Sequence, residues 1–213
     1  MKQEFDQQFA CPDSRFRGAP FWAWNCKLDS ARMTKQIEYF KVMGLGGFHM
    51  HCRTGLDTPY MSPEYLQIVK DCVNKAKEEK MFAWLYDEDR WPSGAAGGLV
   101  TKDPAYRARY LVFSPWKQED MPPSHQTHGS SMGHLAQQGN GTWMASYEVV
   151  LKEGVMVSYR RLAEDEAPKE GGHVWHVYEE IAPDSGWFND QAYLDTLNPK
   201  AVARFIEETH EKY

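Results

Sequence analysis

"LGGFHMHC", residues 45–52, is an apolar run interrupted by two histidines two positions apart, and the segments on either side decide the fold it belongs to. Upstream, "ARMTKQIEYFKVMG", residues 31–44, repeats Met33, Ile37, Phe40 and Met43 at helical spacing, with Asp29 or Ser30 as N-cap and Gly44 as the stop. Downstream, after the loop "RTGLDTPYM", "SPEYLQIVKDCVNKAKEEK" places Ser62 at the cap and Pro63 at the first helical position. Leu66, Val69, Val73 and Ala76 are expected on its apolar face. A buried run between two helices is a strand, and it has a counterpart on each side: "APFWAWNCKL", residues 19–28, and "MFAWLYD", residues 81–87. Strands alternating with helices predict a parallel sheet, because a parallel crossover needs a helix to carry the chain back.

The alternation stops after residue 97. "WPSGAAGGLVTKDPAYRARYLVF" passes through a Gly-rich turn into a strand-like stretch, and the aperiodic Pro/Ser/Gly/His/Gln segment that follows predicts a mobile loop over 117–141. "WMASYEVVLKEGVMVSYRRL" reads as a hairpin turning at Lys152, Glu153 and Gly154, and "HVWHVYEEI" as a further strand. "LNPKAVARFIEETHEKY" resumes helix, with Asn198 as cap, Pro199 in the first turn and Val202, Phe205 and Ile206 expected on the apolar face. The expected organisation is therefore three β/α units over 1–97, a β-rich insertion over 98–190 and a further helix over 191–213.

Composition narrows the function classes. A net charge of −6 argues against nucleic acid or an anionic membrane as a partner. The N-terminus has no apolar signal region and no long apolar stretch follows, which points to the cytoplasm. Cys11, Cys26, Cys52 and Cys72 are widely spaced and read as reduced thiols, neither a disulfide frame nor a zinc site. Aromatics reach 14%, with 8 Trp and 11 Tyr, enough to line a surface for flat, partly apolar ligands such as sugar rings as well as a core.

In parallel α/β folds ligands gather beyond the carboxyl ends of the strands. The polar residues of this chain fall there: Trp24 and Asn25 after the first strand, His49, His51 and Arg53 at the second, Asp87, Glu88, Asp89, Arg90 and Trp91 at the third. His49 and His51 point to one side of a strand. They read as a metal pair, as donors to substrate hydroxyls, or as core histidines; a metal needs further ligands, which spacing does not identify. Of Asp87, Glu88 and Asp89 at most two can share a site, since side chains alternate along a strand, and crowded or buried carboxyls acquire the raised pKa of a general acid. "PSGAAGG" lacks the Lys-Ser/Thr of a phosphate loop and reads as a lid hinge.

Four stretches in this order, "RGAPFWAWNCKLD", "QIEYFKVMGLGGFHMHCRTGL", "YDEDRWPSGAAGG" and "YLDTLNPKAVARFIEETHEKY", resemble the N-terminal part of bacterial glycoside hydrolases related to the α-L-rhamnosidases of family 106. The resemblance covers most of 15–110 and 186–213 and does not extend over 117–175. It implies a (β/α)8 TIM-type barrel, here partial because a full one takes about 250 residues, and carbohydrate as substrate. Trp24 and Trp91 would be sugar platforms; Asn25, His49, His51 and Arg53 would bind hydroxyls; Asp87, Glu88 and Asp89 would supply or assist acid/base chemistry. The residues themselves call for no certain cofactor; calcium is the metal associated with the family that the chain resembles. The expectation is a rhamnosidase-like segment whose catalytic pair is completed beyond Tyr213, inactive by itself and associating through an open barrel edge. Its rivals are a non-catalytic carbohydrate-binding protein and a metal-dependent hydrolase centred on His49 and His51.

Overall fold

The computed structural model describes residues 2–89, 93–120, 139, 141–164, 166–186 and 190–213. Arg90 and Trp91 lie outside the described residues, as do 121–138 and 140 of the segment expected to be a mobile loop. The chain forms two compact units, Met1–Val100 with Ala203–Tyr213, and Thr101–Val202.

The first unit begins with a helix that the sequence reading did not anticipate, α1 (Lys2–Ala10), and continues β1 (Phe21–Trp24), α2 (Ser30–Val42), β2 (Gly47–Cys52), α3 (Pro63–Glu78) and β3 (Phe82–Leu85). The strands form a parallel sheet in the order β1-β2-β3. Phe21 stands beside His49 and Trp24 beside Cys52, while Gly47 pairs with Phe82 and Met50 with Leu85.

Local chemistry sets the helix ends. The Asp29 carboxylate accepts the N–H of Arg32 at 2.8 Å, and the Ser62 hydroxyl accepts that of Tyr65 at 3.2 Å. α2 closes with N–H groups of Gly44 and Leu45 donating back to the carbonyls of Lys41 and Phe40, a turn that needs the positive φ of 81° that glycine adopts freely. α3 closes the same way, but the left-handed position is filled by Lys80 at φ 56°.

One face of the sheet packs on α2 and α3. Trp22, Trp24, Phe48, Met50 and Cys52 meet Met33, Ile37, Tyr65, Ile68, Val69, Cys72 and Ala76 in a continuous core. Edge-to-face contacts at its centre join Trp22 to Phe40 and to Phe48, both at 5.2 Å between ring centroids. The buried stripe of α3 differs from the expected one. Leu66 and Val73 lie at its margin, and Tyr65, Ile68 and Cys72 take the centre, because Tyr65 reaches across to Trp24 at 5.7 Å.

The second unit is an antiparallel sheet in the order β4-β7-β5-β6, from β4 (Arg109–Ser114), β5 (Thr142–Lys152), β6 (Val155–Arg161) and β7 (His173–Ile181). β5 and β6 form the expected hairpin. Its two turn residues, Glu153 and Gly154, have φ 51° and 79°, the paired positive values of a turn whose twist matches that of the strands. The last long helix, α4 (Pro199–Glu208), starts where expected, with the Asn198 side chain accepting the N–H of Lys200 at 3.1 Å. Its buried positions are Ala201, Phe205 and Glu208, whereas Ile206, expected inside, is exposed. The protein thus combines helices with one parallel and one antiparallel sheet, neither of them closed.

Candidate functional site

The face of the parallel sheet opposite α2 and α3 carries a row of rings. Along β2, side-chain alternation sends Phe48, Met50 and Cys52 to the helices and His49 and His51 to this other face. The parallel register then assembles the row. His49 stacks on Trp84 at 4.8 Å with an interplanar angle of 15°, Phe21 lies 5.2 Å from both His49 and His51, and Tyr86 closes on His51 at 4.1 Å. Nδ1 of each histidine is buried and has no hydrogen-bond partner among the described residues. Burial, and secondarily the charge of Arg53, hold the His51 imidazole below its ordinary pKa, so it is neutral at physiological pH.

Beyond β3 the three carboxylates separate. Asp87 keeps 37% of its side chain exposed, accepts the Ser93 hydroxyl at 2.6 Å and has Nε2 of His210 at 3.8 Å. Glu88 is 1% exposed and Asp89 is buried beside it. The Glu88 carboxylate accepts four backbone N–H groups: Asp89 at 2.9 Å and Gly97 at 2.8 Å on Oε1, Gly94 at 2.8 Å and Ala96 at 2.7 Å on Oε2. The Gly-rich turn expected to be a lid hinge is therefore an anion nest filled from inside the chain. Burial pushes the Glu88 carboxyl up to about 7, the neighbouring Asp89 carboxyl adds to the rise, and the N–H groups of Gly94, Ala96 and Gly97 oppose it.

These placements correct several sequence expectations. Trp24 is 1% exposed in the helix-side core, so its ring is no platform for a ligand. Glu88 anchors a loop, and its oxygens are taken; of the three acids only Asp87 offers a carboxylate to solvent. Asn25 and Arg53 are exposed at the carboxyl ends of β1 and β2, as expected from their positions. Trp91 lies outside the described residues. Sequence reading missed Phe21, Trp84 and Tyr86 as neighbours of the histidines. The alternation of Trp84 and Tyr86 in "FAWLY" and of Phe21 in "FWAW" was visible, but the register that sets them beside His49 and His51 was not. His210, brought next to Asp87 from the far end of the chain, had no sequence signal.

Among the described residues no group of three or more His, Cys, Asp or Glu is arranged to hold a metal ion. The described residues do not fit the calcium implied by the resemblance, and among them His49 and His51 have no further ligands of the kind a zinc site needs. Among the described residues no helix is long and apolar enough to cross a membrane.

No family model matches the chain, and no curated protein matches it. Among solved structures, a rhamnosidase from Novosphingobium sp. PP1Y is similar over 51% of this chain, with 21% identity and a TM-score of 0.39. The similarity takes in 11% of that protein's chain, so this chain spans a small part of its length.

Proposed function

We propose that the chain is part of a rhamnosidase-like glycoside hydrolase, three β/α units of a TIM-type barrel that bind a terminal sugar at the carboxyl ends of the strands. The observation that carries this reading is the row on the second face of the parallel sheet, where buried His51 and half-buried His49, each with an Nδ1 that has no hydrogen-bond partner among the described residues, sit among Phe21, Trp84 and Tyr86. A sugar needs this combination, ring faces for its C–H surface and fixed polar atoms for its hydroxyls. Asp87 is the accessible carboxylate at the same edge, and we assign it, with Asn25 and Arg53, to hydroxyl binding or to support of the acid/base pair. The open state of the sheet fits a barrel completed by further strands, because parallel sheets are ordinarily covered on both faces. Cys11, Cys26, Cys52 and Cys72 form no disulfide with one another, which suits a cytoplasmic address.

The test is turnover of aryl glycosides, the α-L-rhamnoside among them, by a form that carries the closing strands. Asp87→Asn is expected to lower kcat/KM by about tenfold or more with the fold intact; unchanged kinetics removes Asp87 from the site. Saturable sugar binding without hydrolysis of any glycoside by that form supports the rival reading, a non-catalytic carbohydrate-binding protein.

A further inference from the structure

The second unit has a cleft of its own, of about 610 Å³, within the range of roughly 300–1,000 Å³ that small-molecule sites occupy. Its floor is one face of the antiparallel sheet, and a bulge puts an aromatic residue there. Trp143 and Ser146 are three positions apart on β5, which in a regular strand sends them to opposite faces. The register shift between Trp143 and Ala145 absorbs one residue, so that Trp143 pairs with Tyr178 and Ser146 with His176, neighbours on one face of β7. Bulges are commonly found where a strand re-aims a side chain into a site.

The re-aimed indole is 50% exposed and yet held in place. Trp143 Nε1–H points at the Ser146 hydroxyl at 3.4 Å, and that hydroxyl meets His176 Nδ1 at 2.9 Å. The serine oxygen accepts from the indole, and its contact with Nδ1 is a hydrogen bond in either tautomer of the imidazole. Burial first, and then Lys117, hold His176 below its ordinary pKa against the pull of Glu119 and Asp120, which keeps the ring neutral. Tyr178 is fixed from above, its hydroxyl accepting the N–H of Gln118 at 3.3 Å.

Charge limits what this cleft can take. Among the described residues Glu119, Glu164 and Glu166 line it against Lys117 alone, and Arg160, which answers Glu166 at 2.5 Å, is outside the lining. An anionic ligand is therefore disfavoured. A neutral ring with an apolar face and hydroxyl edges suits an exposed indole flanked by an imidazole and carboxylates.

We propose that this cleft is a carbohydrate-binding subsite, separate from the strand-end site, in which Trp143 stacks on a sugar ring while His176 and Glu119 bind its hydroxyls. The choice of sugar among neutral ligands rests on the glycosidase reading; the bulge and the built cleft do not.

The full chain is titrated with methyl α-L-rhamnopyranoside, methyl β-D-galactopyranoside and cellobiose, and followed by nitrogen-15 spectra of its indoles and imidazoles. The expected result is saturable movement of the Trp143 indole and of His176 with at least one sugar. Trp143→Ala should lower that affinity by about tenfold or more, and Trp143→Phe, which keeps an aromatic face, by less. Sugars that move His49 and His51 but leave Trp143 still overturn the subsite and leave the strand-end reading standing. Movement confined to Trp143 and His176 does the reverse. No movement at Trp143 with any of the three, or an unchanged affinity in Trp143→Ala, overturns the proposal.

Discussion

The Glu88 carboxylate accepts the backbone N–H of Ala96 at 2.7 Å, the shortest of four such bonds that bind the end of the third strand to the turn after it. A loop that follows a parallel strand is ordinarily free to vary. Here it is closed on a buried carboxyl group, and the accessible Asp87 is carried on the same short segment, tied to Ser93 of the turn.

Replacing that carboxylate should loosen the turn. Glu88→Gln presents an amide N–H₂ to two of the four donors, and with each buried donor left unsatisfied costing about 1–3 kcal/mol, the expected destabilisation is roughly 2–6 kcal/mol. Urea unfolding measures the loss, and amide exchange at Gly94, Ala96 and Gly97 should rise with it. A variant as stable as the parent would show that the nest contributes nothing.

The same group gives stability a pH dependence with a definite sign. Folding raises the Glu88 carboxyl from 4.5 to about 7, so between those values the folded state binds the extra proton. Its contribution is complete below about 4.5 and is lost as pH climbs towards 7, an effect of about 3 kcal/mol. Urea midpoints at about pH 5 and about pH 8 should therefore fall with rising pH in the parent and not in Glu88→Gln. A parent whose stability is level or rises across this window would mean that the four N–H donors outweigh burial and keep Glu88 ionised.

Much of the framework of both units was legible in the sequence because it rests on local chemistry. Ser62 before Pro63, Gly44 after a helical stripe, and Glu153 with Gly154 between two strand-like runs each specify a backbone geometry through residues a few positions apart. Trp24 shows where that reasoning stops. In "FWAW" the alternation is plain, but which parity meets the helices depends on partners far along the chain, so a core tryptophan could be taken for a platform. The site was legible as positions and not as contacts. His49 and His51 were visible as a pair, whereas Trp84 against His49 follows from sheet register, His210 against Asp87 from the path of the chain, and the Glu88 nest from a turn whose glycines answer to a carboxylate instead of a ligand.

Lys80 occupies a left-handed position at φ 56° that disfavours a side chain by roughly 1–2 kcal/mol. Lys80→Gly should raise thermal stability, by about 1 kcal/mol after the added freedom of the unfolded chain is subtracted. A fall in the melting temperature would indicate that the lysine side chain makes a contribution larger than the strain.

Self-association should follow from the open sheet. Among the described residues no strand pairs with the outer edge of β1 or of β3, and Phe21, 68% exposed, shares the uncovered face with Phe82 and Trp84. Covering one such ring is worth roughly 1.5–3 kcal/mol, and unpaired strand edges seek partners. Light scattering should show mass rising with concentration, and Phe21→Ser should shift the curve towards monomer. A constant monomer mass for the parent would contradict this.

The central claim is that the row around His49 and His51 receives a sugar, and the most direct measurement is the nitrogen-15 shift of those two imidazoles as methyl α-L-rhamnopyranoside is added. Both unpartnered Nδ1 atoms are expected to move saturably, and His51→Ala should weaken binding by about tenfold, the worth of a lost hydrogen bond to a hydroxyl in a partly dry site. Imidazoles that stay fixed while the sugar binds with the same affinity to parent and His51→Ala would contradict the account.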